Sequence, residues 1–236
     1  IERRRHNLTG SATALVRTLE EASPTGEWAR IVREASWATV DHHRNGSPPV
    51  LMIDAGQSII TGPSSPLMPA SPTVLFGPGS TGKSLLGLTI ASEVASGQPI
   101  ISNTIEESGP VLYLDWEDHV STHSRRLELL SRGHDLGRLP IHHKTMRRPL
   151  HQVTESIIEA VEKTGAVFAV IDSVGYARGG PADAEATMRL FASVQDLEIP
   201  CLLLDHVSKD GARQAVDRSD PYGSIYTFNS ARLVWR

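Results

Sequence analysis

Four short runs of the 236-residue chain, Thr73-Val74-Leu75-Phe76, Val111 to Asp115, Ala166 to Asp172 and Pro200 to His206, are almost continuously apolar. None alternates polar with apolar residues, as a strand with one wet face would. Strands buried on both faces read this way, and the environment that supplies it is a parallel sheet covered by helices on each side. The segments between the runs fit that arrangement. Helical periodicity is expected over 82–95, 121–131, 152–163 and 183–197. No internal repeat appears at a fixed period.

The first of these runs leads directly into Gly77-Pro78-Gly79-Ser80-Thr81-Gly82-Lys83-Ser84. This octapeptide fits GxxxxGK[ST] between a strand and a helix, the context in which that pattern is a phosphate-binding loop. Glycines let the backbone wrap a polyphosphate with N–H groups turned inward, and the helix N-terminus adds a favourable dipole. Lys83 is then expected to reach the β and γ phosphates of ATP, and the Ser84 hydroxyl to ligate Mg²⁺. A metal-bound nucleotide also needs a carboxylate at the same sheet edge, and Asp172, which ends the third run, is the candidate metal partner.

Hydrolysis needs a group that orients or deprotonates water. Asp115-Trp116-Glu117-Asp118-His119 brings three carboxylates just past the second strand, and Glu117 is the preferred base. The competing reading makes Asp118 a helix cap and Glu117 a solvated loop residue. His206 ends the fourth run, where an imidazole could sense the γ phosphate or simply close a strand.

Composition narrows the class. With 39% hydrophobic and 21% charged residues, and with Gly 19 and Pro 15 giving ordinary loop content, the chain is neither collagen-like, disordered nor low in complexity. A net charge of −4 argues against a globally basic nucleic-acid coat. The single cysteine, Cys201, reads as a buried strand position. No apolar run approaches the roughly 18 residues that suggest a membrane span, so a cytoplasmic enzyme without a membrane partner is expected. Ten histidines include His119 and His123 at i, i+4 and the pairs His42-His43 and His142-His143, but no ligand set at zinc spacing is evident, and structural zinc is not expected. The stretch His142 to Arg148 reads as a basic loop, more a solvated face than a binding site.

Residues 1–72 differ from the rest. Two helices are expected, Ser11 to Ala22 and Glu27 to about His42, then extended structure over 50–60 and a loop or linker over 61–72 with four prolines. The expected division is therefore 1–72, a small mainly helical segment that could serve oligomerisation or stand as an independent domain, and 73–236. Ile1 and Arg236 read as cut ends, with the second part truncated at its C-terminus.

Taken in order, Gly77 to Ser84, Leu114 to Glu117, Val170 to Val174, Leu203 to His206, Tyr222 to Ile225 and Ser230 to Val234 resemble the RecA-like P-loop ATPase core. The resemblance covers about residues 73–236 and is nearest to RepA-type plasmid and phage replicative helicases. It implies an α/β fold with a mostly parallel central sheet flanked by helices, Mg²⁺-dependent ATP hydrolysis with Glu117 activating water, and His206 coupling the γ-phosphate state to a DNA-contacting stretch over 207–222. It also implies Arg232 as an arginine supplied to a neighbour's site, hence a homo-oligomeric ring or helical filament with ATP sites at subunit interfaces; an outward charge on an edge strand is the plainer reading. Single-stranded DNA is the implied partner. Arg178, beside Tyr176 and a Gly179-Gly180 hinge, occupies the place of the family's first DNA loop, and Lys209, Arg213 and Arg218 lie in the second. The 207–218 stretch carries only one net positive charge, and 5% aromatic content favours backbone tracking over base stacking. Three roles fit such a core: a replicative helicase motor, a recombinase or recombination mediator forming a filament on DNA, and a nucleotide-switched regulatory ATPase without translocation.

Overall fold

The computed structural model describes residues 12–24, 26–45, 60–61, 66–67, 72–102, 105, 107–181, 183–206, 227, 230–231 and 233–235. The chain forms two compact units, Ile1–Gly56 and Gln57–Arg236. In the first unit α1 (Ala12–Ala22) and α2 (Trp28–Asn45) pack on each other. Ser23-Pro24 ends α1 because proline cannot continue the ladder, and the Trp28 indole donates to the Ser23 carbonyl at 2.7 Å across the turn. The expected extended structure over 50–60 lies almost wholly outside the described residues.

In the second unit a short antiparallel pair, β1 (Ile60–Thr61) and β2 (Pro66–Leu67), joins the end of the expected extended stretch to the stretch expected as a linker. The main sheet follows. Its strands are β3 (Thr73–Gly77), β4 (Val111–Asp115), β5 (Ile141–Thr145), β6 (Phe168–Asp172), β7 (Cys201–His206) and β8 (Leu233–Trp235), in the order β5-β4-β6-β7-β3-β8. Every pairing in it is parallel. The connecting helices are α3 (Lys83–Ser96), α4 (Val120–Gly133), α5 (Thr154–Thr164), α6 (Val174–Arg178) and α7 (Ala184–Gln195).

Strand geometry explains the apolar runs. Successive side chains point to opposite faces: Leu112 and Leu114, Ala169 and Ile171, Cys201 and Leu203 enter one core with Ile157, Val174, Leu190 and Phe191 from α5, α6 and α7. Val111 and Tyr113, Phe168 and Val170, Leu202 and Leu204 enter the other with Leu88, Ile90 and Val94 of α3 and, partly buried, Leu127 of α4. Cys201 is buried as expected, and burial pushes its thiol up to about 12, which leaves it unreactive at neutral pH.

Two segments expected as loops are regular. Residues 141–145 of the basic stretch form β5, an edge strand whose partial exposure tolerates His and Lys where the central strands do not. Residues 174–178 form α6, and Gly179 is its left-handed cap rather than a hinge: at φ +71°, a Cβ there would lie 1.9 Å from Pro149 Cγ.

Candidate functional site

All strands of a parallel sheet point the same way, so their C-terminal ends gather at one edge. Here that edge carries Gly77, Asp115, Asp172 and His206. The loop leaving β3 turns through Ser80 (φ 62°) and Gly82 (φ 90°), both left-handed, before α3 starts at Lys83. No side chain caps α3, which leaves its first-turn N–H groups for an anion. The Thr81 hydroxyl donates to the Pro78 carbonyl at 2.8 Å and braces the loop. Lys83 Nζ donates to the carbonyls of Gly77 (3.0 Å) and Pro78 (2.7 Å), so its ammonium lies inside the curve of the loop. Burial lowers the Lys83 pKa, and the charges of Asp172, Glu117 and Asp205 oppose that shift.

Asp172 is 6% exposed. Burial raises its pKa against hydrogen bonds from the Ser84 and Tyr113 hydroxyls, while the charges of Asp115 and Glu117 raise it further. Tyr113 Oη donates to Asp172 Oδ2 at 2.9 Å. A hydroxyl and a carboxylate already in contact, in a surplus of negative charge, form an all-oxygen donor set that suits Mg²⁺. Ser84 and Asp172 are the residues here whose chemistry would suit that ion.

Glu117 stands beside them. Its Oε1 accepts from the Ser173 hydroxyl and lies 3.3 Å from His206 Nε2, and His206 Nδ1 is 3.5 Å from Lys83 Nζ. An ammonium only donates and a carboxylate only accepts, so the His206 tautomer with its proton on Nε2 satisfies both neighbours. Lys83, His206, Glu117 and Ser173 thus form one polar chain from the phosphate loop to the end of β6.

The other two carboxylates of the cluster have separate tasks. Asp115 is fully buried; its Oδ1 accepts from the backbone N–H of Glu117 (2.7 Å) and Asp118 (2.9 Å) and so shapes the turn that presents Glu117. Asp118 does not cap α4. It pairs with Arg126 at 3.2 Å, and the cap is His119, whose Nδ1 accepts from Ser121 N–H.

Arg178 requires a correction. It is 2% exposed, under the sheet beside Asp205, and cannot face a nucleic acid. One and a half turns of helix turn it inward, whereas Tyr176 of the same helix is 61% exposed. Lys209, Arg213, Arg218 and Arg232 lie outside the described residues. Tyr113 and Ser173 were not anticipated; the strand register that sets Asp115 opposite Asp172 is what brings them in.

Asp205 gives a pH signature. Burial raises its pKa to about 6 against a hydrogen bond from His206 N–H and the charge of Arg178. A carboxyl raised above its unfolded value binds more protons when folded, so stability falls as pH rises from about 4 to about 6. The group's contribution is about 3 kcal/mol across that window. Asp205→Asn keeps an acceptor for His206 N–H and is expected to flatten the change in urea midpoint between pH 4 and pH 7. An unchanged slope would assign it to other groups.

A strand-borne glycine-rich loop, its lysine and serine, a buried aspartate at the same edge of the sheet and a helix-covered parallel sheet define a RecA-like P-loop ATPase. A family model described as an AAA domain matches residues 52–212, more than half of the chain, and the chain belongs to that family of nucleotide-hydrolysing ATPases. No curated protein matches it. Among the described residues no helix is long and apolar enough to cross a membrane.

Proposed function

We propose that this ATPase is the motor of a replicative helicase of the RepA type, a homo-oligomeric ring or helical assembly that couples ATP hydrolysis to movement on single-stranded DNA. The observation that carries the reading is the chain from Lys83 through His206 to Glu117. It ties the phosphate loop to a strand-end histidine, and the stretch that follows that histidine is the DNA-contacting segment in the family this core resembles.

Bound Mg²⁺, held by Ser84 and Asp172, would neutralise charge on the β and γ phosphates. Lys83 exchanges the carbonyls of Gly77 and Pro78 for phosphate oxygens. Glu117, held by Ser173, orients water and accepts its proton. His206 shares Oε1 of Glu117, so a change in position of the γ phosphate reaches β7 through Lys83 and the imidazole. Tyr176, exposed beyond β6, is an aromatic available to a base. Arg232 is proposed to act in trans, where arginine stabilises charge on the transferring phosphoryl group.

The test is ATP turnover with and without single-stranded DNA, combined with strand displacement. Stimulation by DNA together with displacement supports a helicase. Stimulation without displacement favours a filament-forming recombinase, and DNA-independent turnover a regulatory ATPase. Mixing Lys83→Ala with Arg232→Ala protein is expected to restore some turnover, because mixed assemblies contain interfaces with both residues intact. No recovery removes Arg232 from the trans role.

A further inference from the structure

Behind the nucleotide site, on the α4 side of β4, two histidines without a part in the chemistry above converge on the second oxygen of Asp115. His123 Nε2 lies 2.6 Å from Asp115 Oδ2, and His143 Nε2 lies 3.3 Å from the same oxygen. The three ligand atoms all fall within 4.8 Å of one another. Asp115 is fully buried and His123 is 4% exposed. The residues come from three elements, β4, α4 and β5. His143 stands opposite Tyr113 in the parallel register, two positions before Asp115.

We propose that Asp115, His123 and His143 form a second metal site, for a borderline transition ion of the Zn²⁺ class. Two imidazole nitrogens and one carboxylate oxygen are the donor set that such ions take and Mg²⁺ does not. Bonds of about 2.0–2.1 Å put ligand atoms about 3–3.5 Å apart, so His123 needs to withdraw from Asp115 by about half an ångström to just under one. Beside the cluster a cleft of about 320 Å³, lined by Tyr113, Ser124, Leu127 and both histidines, leaves a fourth position to water. Three protein ligands and one open position is a recurrent zinc arrangement. The Tyr113 ring, with its centroid 4.7 Å from that of His123 and 6.2 Å from that of His143, walls the site on one side.

The site is distinct from the Mg²⁺ site yet touches its supports. Asp115 divides its oxygens, Oδ2 to the histidines and Oδ1 to the turn that carries Glu117, so an ion here would stiffen the mount of the proposed base. That last link rests on the role proposed for Glu117; the metal site itself does not.

The experiment is a Co²⁺ titration of the full chain, stripped with EDTA and desalted, in nucleotide-free buffer, followed by the visible d–d absorption of bound cobalt. One equivalent should bind and Zn²⁺ should displace it. His143→Ala and the milder His143→Gln should each weaken binding by at least about ten-fold, while both keep the circular dichroism of the parent. His134→Ala, exposed and outside the cluster, should bind normally. A parent protein with no cobalt band, or a band that persists undiminished in both His143 variants, overturns the proposal: the three residues are then a hydrogen-bonded brace only. Because no nucleotide is present, either result is independent of the ATPase reading.

Discussion

Glu117→Gln is expected to slow ATP hydrolysis by about 10²–10⁴-fold, the range over which a positioned general base acts, while nucleotide affinity stays near that of the parent. Glutamine keeps an oxygen to accept from the Ser173 hydroxyl and His206 Nε2, so the loop geometry survives. What it loses is the capacity to take a proton from water. Steady-state turnover and equilibrium binding of a fluorescent ATP analogue separate the two quantities. If turnover were unchanged, the base would be Asp118, because Asp115 is fully buried and committed to two backbone N–H groups and two histidines.

Lys83→Ala should do more. It removes the ammonium inside the phosphate loop and with it a cation that faces Asp172, Glu117 and Asp205. Both affinity and turnover are expected to fall, turnover by at least about 10³-fold, equivalent to about 4 kcal/mol of lost transition-state stabilisation. The contrast between the variants is the informative result: Glu117→Gln binds and stalls, whereas Lys83→Ala fails at binding. Turnover within ten-fold of the parent would mean that the loop holds phosphate through backbone N–H groups alone.

The central strands were legible because each is buried on both faces, and short apolar runs bounded by turn residues are what that environment selects. The phosphate loop was legible because its glycines and lysine are fixed by backbone geometry and charge. β5 was not, since an edge strand keeps polar side chains and Ile141-His142-His143-Lys144-Thr145 shows neither apolar continuity nor clean alternation. α6 was hidden by Gly179-Gly180, which as a sequence denotes a turn; that Gly179 closes a helix against Pro149 is a matter of tertiary packing. The three carboxylates at 115, 117 and 118 could be found but only partly ranked. Burial assigns Asp115 to the turn, Arg126 takes Asp118, and Glu117 is left facing the site. The metal cluster joins Asp115 to a histidine 28 positions away on the next strand, a juxtaposition set by parallel register and invisible to local spacing.

The polar character of β5 reaches beyond the chemistry. Among the described residues β5 ends the sheet, so one side of its backbone has no strand partner there, and an open edge of that kind is a template on which a second chain can add. His142 is exposed there and Lys144 half-buried. Charge on an edge strand opposes sheet-to-sheet accretion. In the assembly proposed above, this edge would therefore disfavour a continuous cross-chain sheet and leave subunit contacts on the β5 side to helices and loops, which can shift with each nucleotide turned over.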